Sequence, residues 1–312
     1  MRILVVGAGA VGGYFGARLL AAGRDVTFLV RPHRATELAK TGLVVKSKLG
    51  DVSLAAPPTI SADAIKSPFN VVLVSCKAYD LPAAIESFAP AVGPSTSIVP
   101  LLNGMAHLDA LMVHFGEATV LGGQCAVSLT LDSEGRILHL NDTCVLTFGE
   151  PKGDHTKRLD SIAVAFAGIA EGGPSERILQ EMWEKWVFIA TAAGITCLMR
   201  AAVGDIVAAG AGDRTLALLD EISSIAANQG FAPRPPAAQR ARTMLTAAGS
   251  PFKASMLRDI ESDRLIEADH ILGDLLKRDA RTASSCPMLR LAYAHLKAYE
   301  AQRARLREGS AR

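Results

Sequence analysis

The sequence predicts an α/β N-terminal Rossmann domain, with a mostly parallel doubly wound sheet, followed by an all-α C-terminal domain. Three observations predict it. A short apolar strand, Ile3 to Val6, runs into Gly7-Ala8-Gly9-Ala10-Val11-Gly12 and then into a helical stretch. The run 70–75 is apolar on both faces, as in strands of parallel sheets covered on both sides. After Pro174 no strand pattern recurs and only helical periodicity remains. A chain of 312 residues, at about 150 per domain, fits two domains. They are expected at 1–173 and 174–312, with Glu171-Gly172-Gly173-Pro174 as the linker.

The first turn sets the chemistry. Its spacing is G-x-G-x-x-G, with a strand before and a helix, Gly13 to Ala22, after it. Gly7 allows the tight turn, Gly9 lets the backbone approach a pyrophosphate, and Gly12 permits close helix packing. The helix N-terminus offers N–H groups and partial positive charge to phosphates. Residues 7–12 are therefore the expected dinucleotide cradle. The next strand, Val26 to Val30, ends in Arg31-Pro32-His33-Arg34, with no carboxylate until Glu37. An NAD site usually places Asp or Glu there to accept from the ribose 2′-hydroxyl. Cations suit a 2′-phosphate instead, which Arg31 can hold in bidentate fashion, so the expected cofactor is NADP(H).

The remaining elements follow from local pattern. A strand pair is expected around 43–54. The strand 70–75 ends at Cys76-Lys77, and 97–102 ends at Asn103-Gly104-Met105. Ligands of open α/β sheets lie beyond carboxyl ends of strands, which makes Lys77 and Asn103 candidate cofactor residues. Helix 81–90 carries Pro82 in its first turn. Strands through Ser128 and Leu131, at 137–140 and at 143–148 are expected to complete the sheet, and helix 156–170 closes the domain. Helices then run from Glu176 to Met199, capped by Ser175, from 213 to 229, 236 to 248, 263 to 280 and 287 to 307.

Composition excludes several classes. Net charge is +2, from 33 basic and 31 acidic residues, which gives no reason to invoke nucleic acid or an acidic membrane surface. The longest apolar run, Trp186 to Met199, is shorter than the about 20 residues of a membrane span. Five scattered cysteines without a C-x-x-C pattern are expected as reduced thiols in a cytoplasmic protein. A signal peptide is not expected if Ile3 already begins the first strand. No metal site is expected, and a homodimer is compatible with this reading.

In the helical half, Lys185 lies on the stripe of Ile178, Met182, Ile189 and Ala193. A lysine desolvated there is expected to have a lowered pKa and to serve as an acid near neutral pH. A lysine snorkelling to solvent at the stripe's edge is the plainer alternative. Glu267, placed inside a helix, could pair with a lysine or accept from a ribose. Ser255 is a candidate donor to a substrate carboxylate, unless it merely caps a helix.

Together these pieces resemble the ketopantoate reductase (2-dehydropantoate 2-reductase) family from Met1 to about Ala280. The residues that carry the resemblance are Gly7-x-Gly9-x-x-Gly12, Arg31, Lys77, Asn103-Gly104-Met105, Trp183-Glu184-Lys185, Ser255-Met256-Leu257-x-Asp259 and Glu267. The resemblance implies a Rossmann domain joined to a helical domain with the active site in the cleft. It implies NADPH-dependent reduction of the small-molecule 2-oxo acid 2-dehydropantoate to (R)-pantoate, toward pantothenate and coenzyme A. It implies Lys185 as proton donor, and Lys77, Asn103, Ser128 and Glu267 at the cofactor. Lys185, Asn103 and Ser255 would meet the substrate, with Glu267 also in the catalytic set.

The chain departs from the family pattern at three places. Asparagines expected four, eight and eighteen residues after the lysine are Ile189, Ala193 and Val203. A site without polar partners binds a polar substrate less well. A less polar ketone, 2-oxo acid or imine is therefore the alternative substrate. A non-catalytic NADP-binding sensor is the rival class, and it has no use for a lysine at position 185.

Overall fold

The computed structural model describes residues 1–279 and 285–310. Contacts group it into two units: Met1–Asn103 with His107–Ile178, and the residues from Leu179 onward with Gly104–Ala106. The strands are β1 (Arg2–Val6), β2 (Asp25–Leu29), β3 (Leu43–Lys46), β4 (Val52–Leu54), β5 (Thr59–Ile60), β6 (Val71–Val74), β7 (Ser97–Pro100), β8 (Gly122–Ala126), β9 (Leu129–Leu131), β10 (Ile137–His139), β11 (Val145–Gly149) and β12 (Glu171–Pro174). The helices of the first unit are α1 (Ala10–Ala21), α2 (Pro32–Thr41), α3 (Leu81–Phe88), α4 (Ala106–Phe115, whose first residue groups with the second unit) and α5 (Lys157–Phe166).

The main sheet is parallel throughout, in the order β5-β2-β1-β6-β7. Strand β1 sits at its centre, with Ile3 opposite both Val26 and Val71. This order is the doubly wound arrangement expected from the sequence, with β2 and β6 flanking β1. Ile3, Leu4, Val5, Val72, Leu73 and Phe28 are fully buried. Each such side chain contributes about 1.5–3 kcal/mol by leaving water. Helix α1 begins at Ala10, earlier than the expected Gly13, because the turn is already complete: Gly13 N–H donates to Gly9 O at 2.8 Å.

The structure corrects the reading of 120–148. Only Val120, in a parallel bridge with Ile98 of β7, pairs with the main sheet, and the strands that follow it belong to two other sheets. Strands β8 and β12 flank β11 in a three-stranded sheet, while β9 and β10 join β3 and β4 in another. The chain changes sheet at Val127-Ser128, between β8 and β9. The stretch Glu171–Pro174 is likewise a strand and not a linker. It runs parallel to β11, from Val145↔Glu171 to Phe148↔Pro174. Gly172 is needed there, since it has φ +95° and a Cβ would lie 2.6 Å from Leu146 O.

The second unit is helical, as expected. Its elements are α6 (Ile178–Met199), which starts one residue inside the first unit, α7 (Val203–Ala208), α8 (Gly212–Asn228), α9 (Pro235–Leu245), α10 (Ser255–Glu261), a π turn over Asp269–Gly273, α11 (Asp274–Arg278) and α12 (Pro287–Ser310). Helix α6 is its core element. Trp183, Trp186, Ala190, Ala192, Ile195 and Cys197 are buried. Thr191 and Thr196 satisfy their hydroxyls on Val187 O and Ala192 O within the helix. Burial pushes the Cys197 thiol up to about 12. Ser175 does not cap a helix at Glu176. Its Oγ accepts from Arg177 N–H at 3.0 Å, and the helix starts at Ile178.

The single helix expected over 263–280 begins only at 268, and residue 280 lies outside the described residues. Asp263 adopts φ +48°, a conformation that Asp tolerates better than most side chains. Arg264 N–H donates back to Asp259 O at 2.8 Å, which ends α10. Residues 264–267 are then non-helical, so Glu267 precedes the next helical turn and does not lie within one. The five cysteines form no disulfide among the described residues, and no described helix is long and apolar enough to cross a membrane.

Candidate functional site

In the first unit the glycine turn lies at the carboxyl end of β1. Gly7 has φ +92°, and its N–H donates to Leu29 O at 3.0 Å. Gly9 precedes α1, which has no side-chain cap and no acidic residue in its first turn. The start of α1 thus keeps its positive character for an anion. A Cβ on Gly9 would meet nothing within 4 Å, whereas a Cβ on Gly12 would lie 2.1 Å from Ser75 Oγ and 2.2 Å from Gly7 O. Gly12 therefore closes the turn itself. It also packs α1 against Ser75 after β6, as expected, and Gly13 and Gly16 extend that close packing, with Cβ positions that collide with Ile137 and the Phe28 ring.

Sequence reasoning missed two residues that hold this turn. Ser75 Oγ donates to Val6 O at 3.0 Å and faces Gly7 O at 3.4 Å. Arg34 donates from Nη2 and Nε to Ala8 O at 3.0 and 3.3 Å, and from Nη1 to Glu37. Arg34 is thus turned inward onto the glycine loop, not outward with Arg31. No local pattern marks such a long-range contact.

Arg31 stands at the end of β2 with a guanidinium 74% exposed, and its Nη2 donates to Asp80 Oδ1 at 2.6 Å. No carboxylate follows Arg31 along the chain before Glu37, yet one reaches it from elsewhere in the fold. Asp80 arrives from the loop after β6, because β2 and β6 both flank β1 and end on the same side. The hydrogen bond and charge of Asp80 raise the Arg31 pKa further. Lys77 precedes the short turn Ala78–Asp80 and is half-buried. Asn103 lies half-buried in the bend after β7. Ser128 lies in the break between β8 and β9, where its N–H donates to Asn141 Oδ1 at 3.0 Å. Ala8, Ala10 and Val11 complete the 7–12 segment. The sheet thus gathers the glycine turn, Arg31, Lys77 and Asn103 at carboxyl ends of β1, β2, β6 and β7.

The second unit holds Lys185, Ser255 and Glu267. Lys185 and Ile189 are half-buried on α6, while Met182 and Ala193 on the same stripe are buried. The helix is fixed on either side of the lysine. Glu184 accepts from Arg234 Nε and Nη2, both at 2.7 Å, and from Arg234 N–H at 2.9 Å. Burial pushes the Glu184 carboxyl up, but the Arg234 hydrogen bonds and Gln180 outweigh it and leave the pKa lowered. The Trp186 indole donates to Ile271 O at 3.0 Å, tying α6 to the π turn that follows Glu267. Such turns are frequent at functional sites. Glu267 is half-buried, and Ser255 is exposed as the first residue of α10. Gly104 has φ +79° and a Cβ position 3.1 Å from the His270 ring in that same turn. Val203 is buried, with its N–H on Phe252 O. No cluster of three or more metal-ligating side chains occurs among the described residues.

A parallel sheet with a glycine-rich first turn, followed by a helical unit built around one long helix, defines a Rossmann-type dinucleotide-binding protein with a helical second unit. Comparison with known proteins specifies the class. The family description "Ketopantoate reductase PanE/ApbA" matches residues 3–153, and "Ketopantoate reductase PanE/ApbA C terminal" matches 177–300. The uncharacterized oxidoreductase YkpB of Bacillus subtilis is 40% identical over 305 residues, covering 97% of this chain and 100% of that one. A 2-dehydropantoate 2-reductase structure from Geobacter metallireducens superposes with TM-score 0.86 at 28% identity, covering 96% and 99%. D-mandelate dehydrogenase, solved with NADH and anilino(oxo)acetate, shares the fold with TM-score 0.85 at 18% identity, covering 97% and 100%. The chain belongs to the ketopantoate reductase family, and it is an oxidoreductase of that family.

Proposed function

We propose that the protein reduces 2-dehydropantoate to (R)-pantoate with NADPH, in the cytoplasm, as a step toward pantothenate. The observation that carries this reading is Lys185, half-buried on α6 next to Glu184, whose carboxylate is fixed by Arg234. Residues 1–173 would serve the cofactor and 174–312 the substrate. The residues present fit NADP(H): an uncapped helix start, a glycine cradle that a Cβ would fill, and an exposed Arg31 after β2, where the ribose would lie. Lys77, Asn103, Ser128 and Glu267 would hold the rest of the cofactor.

Bound NADPH supplies a hydride. Hydride arriving at the ketone carbon would leave the carbonyl electron pair on oxygen. The Lys185 ammonium would stabilise that charge and give its proton to the oxygen, leaving a neutral amine to be reprotonated from solvent. Ser255 would donate to the substrate carboxylate, with Asn103 and Glu267 fixing the substrate and lysine.

Ile189, Ala193 and Val203 favour one second reading, a less polar 2-oxo acid or ketone. Two of them, Ala193 and Val203, are buried. The ketone that oxidises NADPH fastest decides between the two. The cofactor assignment is tested at Arg31. Arg31→Ala should weaken NADPH by about ten- to a hundredfold, the loss of one charge-assisted contact of about 1.5–3 kcal/mol, and leave NADH nearly unchanged. Fluorescence titration measures both, and equal losses would remove the 2′-phosphate contact.

A further inference from the structure

The Arg31–Asp80 pair joins two loops at the cofactor end of the sheet, and its two partners differ in setting. Asp80 is the more enclosed, with a side chain 35% exposed against 74% for Arg31. Its backbone is fixed as well, since Asp80 N–H donates to Lys77 O at 2.9 Å and the residue immediately precedes α3. The carboxylate is therefore a built-in component of the corner where Arg31 would meet the adenosine ribose.

This geometry has opposite consequences for the two nicotinamide dinucleotides. A 2′-phosphate carries about −1.5 to −2 charges near neutral pH. On reaching Arg31 it meets a cation already offset by Asp80, with the carboxylate beside it. The charges lie within the screening length of about 8 Å at physiological ionic strength, so the repulsion is felt. A 2′-hydroxyl is neutral and finds in Asp80 an acceptor, the role that an acidic residue at the end of β2 fills in NAD sites. Here that acidic residue comes from the end of β6, which is why reading along β2 does not find it.

We propose that Asp80 is a specificity-determining residue at the adenosine ribose: it weakens the 2′-phosphate contact, accepts from the 2′-hydroxyl of NADH, and so holds the preference for NADPH over NADH to a small ratio. The inference rests on the proposed placement of Arg31 at the ribose. It assigns Asp80 a role in selecting the dinucleotide and none in hydride or proton transfer.

The test is the ratio of NADH to NADPH dissociation constants, measured by fluorescence titration for the unaltered protein, Asp80→Asn and Arg31→Ala. Asp80→Asn keeps shape and hydrogen bonding to Arg31 while removing the charge. It should raise the ratio about tenfold, through tighter NADPH and weaker NADH, because a unit charge is removed a few ångströms from a phosphate. The rise should shrink at high salt. Asp80→Ser, checked by melting temperature, should act in the same direction and guards against a folding artefact in either variant. A ratio that stays the same or falls in both Asp80 variants, while Arg31→Ala still loses NADPH selectively, overturns the role of Asp80 and leaves Arg31 at the phosphate. Equal loss of both dinucleotides in Arg31→Ala overturns both assignments.

Discussion

Replacing Lys185 with alanine should lower turnover by about a hundred- to ten-thousandfold, the usual contribution of a positioned acid. NADPH binding should change by less than about twofold, since the lysine contacts the reacting oxygen and not the cofactor phosphates in the proposed mechanism. The fold should survive. Lys185 is half-buried on α6, so truncation removes little core, and Trp183, Trp186 and the Glu184–Arg234 pair still hold the helix. Steady-state kinetics with a parallel NADPH titration separates the two effects. Unchanged turnover would remove Lys185 as the proton donor, and lost NADPH binding would place it at the cofactor instead.

The second large effect is expected in the glycine turn, where two glycines should fail in different ways. Gly12→Ala places a methyl group 2.1 Å from Ser75 Oγ and 2.2 Å from Gly7 O. One of these is backbone in the turn, so the structure must shift, at a cost of about 1–3 kcal/mol or more. Melting temperature and NADPH affinity should both fall. Gly9→Ala adds a methyl with nothing within 4 Å. Its melting temperature should hold, while NADPH affinity falls at least about a hundredfold because the methyl occupies the pyrophosphate approach. Thermal melts with NADPH titrations distinguish the two. If Gly9→Ala binds normally, the cofactor does not lie over this turn.

The contrast between the glycines shows what the sequence makes legible. The motif and its strand–turn–helix setting are local, so β1, α1 and β2 follow from residues 1–30 with little ambiguity. The same holds for α6, whose buried run from Trp186 outlasts any strand. Sheet partnership is not local. Strands 137–139 and 145–149 are visible as strands, but nothing near them states that one pairs with β3 and the other with Glu171–Pro174. The pair of glycines in 171–174 reads as a linker by composition and serves as a strand, in which Gly172 lies too close to Leu146 O for any Cβ. The break at Asp263 also escapes periodicity, since it depends on a left-handed residue whose carbonyl receives Arg303 and Arg307 from α12. In the candidate site, Arg31 is found by position at a strand end, but its partner Asp80 is 49 residues away and is found only when β6 is laid beside β1.

In the proposed function this oxidoreductase delivers hydride from NADPH to the ketone of 2-dehydropantoate. The most direct measurement is NADPH oxidation by the purified protein, followed optically, with 2-dehydropantoate and a panel of 2-oxo acids of increasing apolar character. Fastest turnover with 2-dehydropantoate, yielding (R)-pantoate, is the expected result. It would mean that other groups supply the polar contacts absent at Ile189, Ala193 and Val203. Faster turnover with a more apolar ketone would contradict the substrate assignment, and tight NADPH binding with no turnover on any member of the panel would contradict catalysis itself.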